Sequence, residues 1–145
     1  VFLSTHRDSV PHALLHNLAH NKVLHERVVF LTVRTEDVPY VRDSDRIEVE
    51  ELGNHFYRVA AHYGFKEDPN VPSALALCGV CGRTLNILET SFFLSRETLI
   101  PSRMPGMAFW REHLFVWMTR NAQSAMSFFR IPSNRVIELG TQVEI

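Results

Sequence analysis

The sequence contains no hydrophobic run long enough to cross a membrane as a helix. A spanning helix needs roughly 18 or more apolar residues in succession, and no stretch of the 145 residues reaches that length. The formal net charge is only -1, so the chain lacks the basic excess that nucleic acids or anionic membranes attract. These absences predict a soluble globular chain that binds no nucleic acid.

Cysteine is also scarce, because Cys78 and Cys81 are the only two. They are too few for a disulfide framework, which favours a reducing compartment. Their spacing occurs in redox and zinc sites. A redox pair, however, sits at a helix N-terminus, and zinc needs a second pair of ligands. Because both cysteines come near the end of a predicted helix, we interpret them as structural thiols rather than as redox or metal ligands.

Signatures of catalysis are missing too, since no nucleophile elbow, phosphate-binding loop or dinucleotide-binding glycine pattern occurs. Ser95 and Glu97 could form a triad with a histidine, but among eight histidines such coincidences are common. His12, His16 and His20 recur every four residues and could chelate a transition metal. No carboxylate accompanies them on that face, so we expect a solvated face. The sequence thus predicts no catalytic residue, cofactor or physiological metal.

The chain does contain one continuous apolar segment, Val28 to Val33, in which only Thr32 is polar. Because the run does not alternate, it predicts a central strand that is covered on both faces. A short strand at Val1–Leu3 and a helix over Pro11–Asn21 precede it, with Ser9 as a candidate cap. Together these elements predict a right-handed βαβ unit with parallel strands. The apolar residues of the helix fall on one arc: Ala13, Leu14, Leu15 and Leu18.

The remaining pattern predicts a hairpin and further helices and strands. Arg46–Glu50 and Phe56–Ala60 alternate on either side of Gly53, as expected for an antiparallel pair with one wet face. The other predicted elements are a helix over Ala74–Val80, a strand over Leu85–Leu94, a helix over Met107–Phe129 that could bend near Asn121–Ala122, and a strand over Val136–Val143 interrupted at Gly140. We therefore predict an α/β fold over residues 1–145 in a single domain, with a mixed sheet and helices packed on it.

The predicted helix over Met107–Phe129 is apolar most of the way round. Such a helix must cover more than one surface. It is either an unusually aromatic core helix or a helix with one face on the sheet and another on a second subunit. Under the second interpretation, the candidate dimer anchors are Phe109, Trp110 and Trp117.

Polar residues follow three of the predicted parallel strands, and strand ends of this kind hold ligands in open α/β sheets. Arginines there could neutralise phosphates, and hydroxyl groups could donate hydrogen bonds. The candidate pocket residues are Ser4, Thr5, Arg7, Arg34, Ser95 and Arg96. The alternative is that these segments are ordinary solvated loops.

Three stretches together resemble a known family: His16–Arg27, Glu89–Thr98 and Asn134–Ile145. They are similar to the cytosolic C-terminal domain of the bacterial Kup potassium uptake permeases, of the KUP/HAK/KT family. The similarity extends in order along nearly the whole chain, including the hairpin and residues 120–122. It is therefore more specific than any single motif.

The resemblance implies a proton-coupled potassium transporter, a symporter of many membrane helices in the bacterial inner membrane, with this chain at its cytoplasmic face. This chain would be its soluble regulatory and dimerisation domain, a homodimer without chemistry of its own, whose partner is the transmembrane portion of the same protein. The start at Val1, without Met, fits an excised piece. Some members of the family are regulated by cyclic di-adenylate, so that nucleotide is the first ligand to test. The alternative is a free-standing α/β enzyme or nucleotide-binding protein without a recognisable motif.

Overall fold

The computed structural model describes residues 1–7, 9–80, 83–100, 110, 111, 114, 117, 118 and 124–144. Its strands are β1 (Phe2–Leu3), β2 (Val28–Glu36), β3 (Ile47–Gly53), β4 (Phe56–Gly64), β5 (Gly79–Val80), β6 (Arg83–Thr84), β7 (Phe92–Ile100) and β8 (Val136–Glu144). The helices with both ends described are α1 (His12–Asn21), α2 (Val71–Ala76) and α3 (Ala125–Phe128). Short 3-10 turns lie at Asp43–Asp45, Ile87–Glu89 and Ser133–Arg135.

Six of the strands form a mixed sheet in the order β3-β4-β2-β1-β7-β8. All neighbouring pairs are parallel except β3 with β4, and β5 pairs with β6 in a separate small ribbon. Phe2 is in register with Phe30, and Val28 with Phe56. The structure therefore confirms the α/β class, the parallel pairing of the first two strands and the central position of β2.

The two faces of the sheet have separate apolar cores, which explains why β2 does not alternate. On one face, called the α1 face, Ala13 and Leu14 of the helix pack with Phe2, Val28 and Phe93. The rings of Phe2 and Phe93 stack there with centroids 4.5 Å apart. The other face, called the α2 face, packs against α2 and α3 through Val29, Leu31, Val59, Val71, Leu75, Phe92 and Met126.

The hairpin also forms as predicted, with Glu48 opposite Ala60 and Glu50 opposite Arg58. Its turn uses positive φ angles at Gly53 (88°), Asn54 (50°) and His55 (64°), a conformation that glycine and asparagine tolerate best. One face of the hairpin has charged, partly exposed side chains, as the alternating pattern predicted.

Helix α1 differs from the prediction in its cap and in its buried residues. Pro11 is the N-cap residue rather than the first helical residue, and its carbonyl accepts from the Leu14 N–H at 2.9 Å. The Ser9 hydroxyl donates to the His6 carbonyl instead of capping the helix. Leu15 and Leu18 are exposed, whereas Asn17 is buried. The helix therefore faces the sheet along a narrower arc than its leucines suggest.

The predicted helix over Ala74–Val80 is displaced toward the N-terminus. The Asn70 side chain accepts from the Ser73 N–H at 3.0 Å, so the helix begins at Val71 and ends at Ala76. Gly79 and Val80, predicted as helical, form β5 instead. An asparagine cap thus overrides the apolar pattern that suggested a later start.

The predicted strand over Leu85–Leu94 is wrong in both bounds. Asn86 accepts from the Leu88 N–H at 3.1 Å and caps the 3-10 turn at Ile87–Glu89. Strand β7 begins only at Phe92 and continues to Ile100. Ser95–Thr98, predicted as a loop after the strand, therefore lies inside it.

The predicted helix over Met107–Phe129 is not continuous. Trp110, Arg111, Leu114, Trp117 and Met118 are helical, but Ser124 is extended, with φ -68° and ψ 145°, and caps α3. The suggested bend at Asn121–Ala122 lies outside the described residues. Strand β8 continues through Gly140, which pairs with Arg96, so the expected interruption is absent there.

Candidate functional site

A crevice opens at the C-terminal end of β1, where the strand order changes direction. From β1 the chain leads through α1 on the α1 face, whereas α3, between β7 and β8 in the chain, packs on the opposite face. Crevices at such reversals are where open α/β sheets bind ligands. This one measures about 450 Å³, and Ser4, Thr5 and Ser95 line it together with His6 and His12. The structure thus brings three of the predicted pocket residues together.

The three predicted arginines do not gather at this crevice. Arg7 reaches across to the hairpin, where its guanidinium lies 2.8 Å from Glu48 Oε1 and 3.4 Å from Glu50 Oε2. Arg96 lies beside Glu138 at 3.4 Å, and it points away from Ser95 because adjacent strand residues face opposite ways. Arg34 is exposed and in register with His62, two strands from β7.

A charged network lies on the part of the α1 face that the hairpin forms. Glu50 bridges Arg7 and Arg58, and hydrogen bonds from Arg58 and then Arg7 lower the pKa of Glu50. His62 lies between two carboxylates, with Nδ1 2.6 Å from Glu36 and Nε2 3.8 Å from Glu48. The alternation of β3 and β4 signalled a charged face, but not its tie to Arg7, which is more than forty residues away in the chain.

A second charged group, missed from the sequence, fixes the loop between β2 and β3. Glu67 accepts hydrogen bonds from Arg46 at 2.7 Å, the Gly64 N–H at 2.6 Å and the Val41 N–H at 3.0 Å. The bond from Arg46, followed by those from the two amides, lowers the pKa of Glu67 to about 2. The Arg46 guanidinium also lies 5.0 Å from the centre of the Tyr63 ring.

The aromatic segment, defined as Trp110, Leu114, Trp117 and Met118, is helical and exposed. The residues lie four, seven and eight positions after Trp110, a spacing that places them on one helix face. Trp110 is 68% exposed and Trp117 is 63% exposed. The third predicted anchor, Phe109, lies outside the described residues. Two of the three predicted anchors are therefore exposed.

The described histidines and Cys78 form no group that could hold a metal ion. The rings of His16, which is partly buried, and His20, which is exposed, stack with centroids 5.9 Å apart. Cys78 is buried, and loss of solvent raises the pKa of its thiol. Cys81 lies outside the described residues. In the described part of the chain, no group of three or more histidine, cysteine or acidic residues could hold a metal ion.

All 145 residues match the profile of one protein family, the K+ potassium transporter C-terminal domain. The chain belongs to this family. It is 58% identical over its whole length to the probable potassium transport system protein Kup 2 of Rhizorhabdus wittichii. It is 59% identical over its whole length to Kup 1 of Novosphingobium aromaticivorans, and 62% identical over 143 residues to Kup 1 of Dechloromonas aromatica.

This K+ transporter C-terminal domain spans less than a quarter of the length of those relatives, 22% or 23% in each case. No solved structure matches it. Among the residues that the structure describes, no helix has both the length and the hydropathy needed to cross a membrane. The resemblance seen in the sequence is thus confirmed, and the chain corresponds to one part of each of those longer relatives.

Proposed function

We propose that the chain is the cytoplasmic regulatory and dimerisation domain of a proton-coupled potassium uptake transporter in the bacterial inner membrane. Membership of the family over all 145 residues is the observation that carries this proposal. The transmembrane portion of the same protein is its constant partner, and the potassium site belongs to that portion. In this account the domain alters the rate of transport and is not itself part of the ion path.

The domain is proposed to act without catalysis. Its relatives are named as transport proteins, which does not favour the alternative of a free-standing enzyme or nucleotide-binding protein. Several of its charged side chains are also in ion pairs within the fold, including Arg7 with Glu48 and Arg46 with Glu67. We expect their primary role to be structural.

The proposed dimer forms through the aromatic segment. Exposed tryptophans are typical anchors of protein interfaces, and four large apolar side chains share one helix face here. Burying that face against a second copy would remove it from water on both domains. This contact would place two transporter subunits side by side.

Deletion of the domain from the full-length transporter tests the regulatory role. In bacteria that lack other potassium uptake systems, rubidium tracer uptake is measured over a range of external potassium. We expect the truncated transporter to keep its preference for potassium over sodium and to transport at a changed rate. Immunoblots of membranes must show equal amounts of both proteins. An unchanged rate at every potassium concentration would contradict a regulatory role.

The crevice at the end of β1 supports a second proposal, a nucleotide site. Its position at the reversal of strand order favours a ligand, and the hydroxyls of Ser4, Thr5 and Ser95 could donate to phosphates. The positive charge that neutralises the phosphates would have to come from other residues, because Arg7 and Arg96 pair with carboxylates.

Calorimetry with cyclic di-adenylate, ATP and AMP tests this site. We expect heat from cyclic di-adenylate that is reduced in Ser95→Ala and retained in Ser73→Ala, an exposed serine on α2. The absence of heat from all three nucleotides at millimolar concentration would leave the crevice residues as ordinary loop and strand positions.

A further inference from the structure

Large apolar side chains are exposed where β2 and β4 end. Tyr40 is 68% exposed and Phe65 is 57% exposed, and Val38 beside them is 45% exposed. The Phe65 N–H donates to the Val38 carbonyl at 2.9 Å, and the Lys66 N–H donates to the Pro39 carbonyl at 3.2 Å. The two loops are therefore joined, and they present one surface. We call Val38, Tyr40 and Phe65 the loop patch.

Side-chain hydrogen bonds hold the backbone of the two loops that carry the loop patch. Glu67 binds the Val41 and Gly64 amides, and Arg46 donates to the Val41 carbonyl at 2.7 Å. Gly64 packs so closely on Pro39 that a side chain would not fit. A surface that is already ordered loses little conformational entropy when it binds a partner. The fixed backbone thus favours a docking surface.

The first of the two loops is acidic, whereas the second adds one exposed cation, Lys66. Residues 36–45 contain four carboxylates and one arginine. Glu36, Tyr40 and Asp45 line the same groove of about 340 Å³ beside His62. The single arginine, Arg42, pairs with Asp45 at 3.3 Å, but both side chains are exposed. Pairs of this kind contribute little and can be exchanged for a partner's cation.

We propose that the loop patch docks a Lys/Arg-rich cytoplasmic loop of the transporter's own membrane portion. This inference rests on the proposed function. Cytoplasmic loops of membrane proteins carry an excess of lysine and arginine, which complements the acidic rim. A long basic side chain can pack its stem along Val38 and Tyr40 and place its charge near Glu36 and Asp45. The contact would connect movements of the membrane portion to the sheet.

A second copy of the domain fits this surface less well. Two copies meeting through the loop patch would bring their carboxylate-rich rims together, and like charges across an interface oppose association. Next to the aromatic segment, the described charged residue is Arg111. The aromatic segment is therefore the surface proposed for the second copy.

Photo-crosslinking in the full-length transporter tests the proposal. A benzophenone amino acid replaces Tyr40 in one variant and Leu88, which is 71% exposed on the 3-10 turn before β7, in a matched control. We expect mass spectrometry to find crosslinks from position 40 to a Lys/Arg-rich loop of the membrane portion, and none to that loop from position 88. Crosslinks from position 40 to a second copy of this domain, or none to the membrane portion, would overturn the proposal.

Charge reversal adds a second readout. Asp37→Lys with Asp45→Lys should lower the yield of the position-40 crosslink at least about fivefold, because the rim loses its attraction for cations. The matched control is Glu26→Lys with Glu89→Lys. These two residues precede the N-terminal ends of β2 and β7, so the crosslink yield should be unchanged. An equal yield in both double variants would overturn the electrostatic argument.

A separate experiment determines on which side of the membrane the domain lies, so that failure of the proposed function can be distinguished from failure of the docking proposal. Tyr40→Cys in the full-length transporter is treated with a membrane-impermeant maleimide in inside-out and right-side-out vesicles, with labelling at position 40 identified by mass spectrometry. Labelling in inside-out vesicles alone places the domain at the cytoplasmic face. Labelling in right-side-out vesicles alone would contradict the proposed function and remove the basis of the docking proposal. Cytoplasmic labelling without the crosslink would overturn the docking proposal alone.

Discussion

Glu67 is the residue on which the loop after β2 most depends. Its carboxylate accepts from Arg46 and from the amides of Val41 and Gly64, and these bonds lower its pKa to about 2. Above the usual pKa range of glutamate, the folded and unfolded chains both carry the charge, so the stabilisation is fully present. As the pH falls toward 2, the unfolded chain takes up a proton first, and the stabilisation is lost.

Glu67→Gln should therefore lower the free energy of unfolding at pH 7 by about 1–2 kcal/mol. The difference between wild type and variant should shrink as the pH falls from about 4.5 to 2. Urea unfolding followed by circular dichroism over this range measures both effects. Glu51→Gln, an exposed position on β3, is the control. A pH-independent difference for Glu67→Gln would contradict the assigned hydrogen bonds.

Gly64 is required for a different reason, the close approach of two backbone segments. A Cβ at this position would clash with the Pro39 carbonyl oxygen and would lie 2.5 Å from the Tyr40 nitrogen. Gly64→Ala should lower the free energy of unfolding by about 2–4 kcal/mol, because backbone atoms must move to admit the methyl group.

Gly140→Ala is the matched control for Gly64→Ala in the same denaturation experiment. Among the residues that the structure describes, a Cβ at Gly140 would meet the Arg96 carbonyl oxygen alone, at 3.9 Å, which is ordinary contact. We expect a change within about 0.5 kcal/mol. Equal losses in the two variants would contradict the packing described for the loop.

At the scale of elements, the sequence correctly predicted the strands whose hydrophobic pattern can be recognised within a few consecutive residues. The apolar run of β2 and the alternation around Gly53 fixed the central strand and the hairpin. The helix α1 was also predicted, but its leucines suggested a wider buried arc than Ala13 and Leu14 provide. Only the tertiary structure decides which apolar positions the sheet covers.

The elements that were misplaced share a cause, a capping side chain inside an ambiguous apolar stretch. Asn70 and Asn86 each accept a backbone N–H. Asn70 begins α2 earlier than the apolar pattern implied, and Asn86 begins a 3-10 turn where a strand was predicted. The candidate site was harder still to predict. The salt bridges of Arg7 with Glu48 and Arg46 with Glu67 join distant positions, and no local pattern specifies such pairs.

The aromatic segment carries a prediction of its own at this scale. Trp110→Ala with Trp117→Ala should weaken self-association of the 145-residue chain at least about tenfold, because tryptophans often dominate interface energies. Sedimentation equilibrium measures the dissociation constant, and Leu88→Ala is the control for loss of an exposed apolar side chain. A monomeric wild type at high concentration, or an unchanged constant in the double variant, would contradict the proposed dimer.

At the scale of the whole molecule, the proposed binding surfaces lie at different strands of the sheet. The crevice opens at the end of β1 beside α1, and the loop patch lies where β2 and β4 end. A ligand in the crevice would contact β1, which pairs with both β2 and β7 at the centre of the sheet. This arrangement suits a domain that transmits binding to a partner, as proposed for this part of the transporter.

Potassium flux in proteoliposomes tests the central claim most directly. Vesicles contain the full-length transporter, a truncated transporter without this domain, or the 145-residue chain alone. We predict no flux with the chain alone, potassium flux with the truncated transporter at a changed rate, and a return toward the full-length rate when the separate chain is added at the cytoplasmic side. Flux through the chain alone, or identical rates for the full-length and truncated transporters, would contradict a regulatory domain outside the ion path.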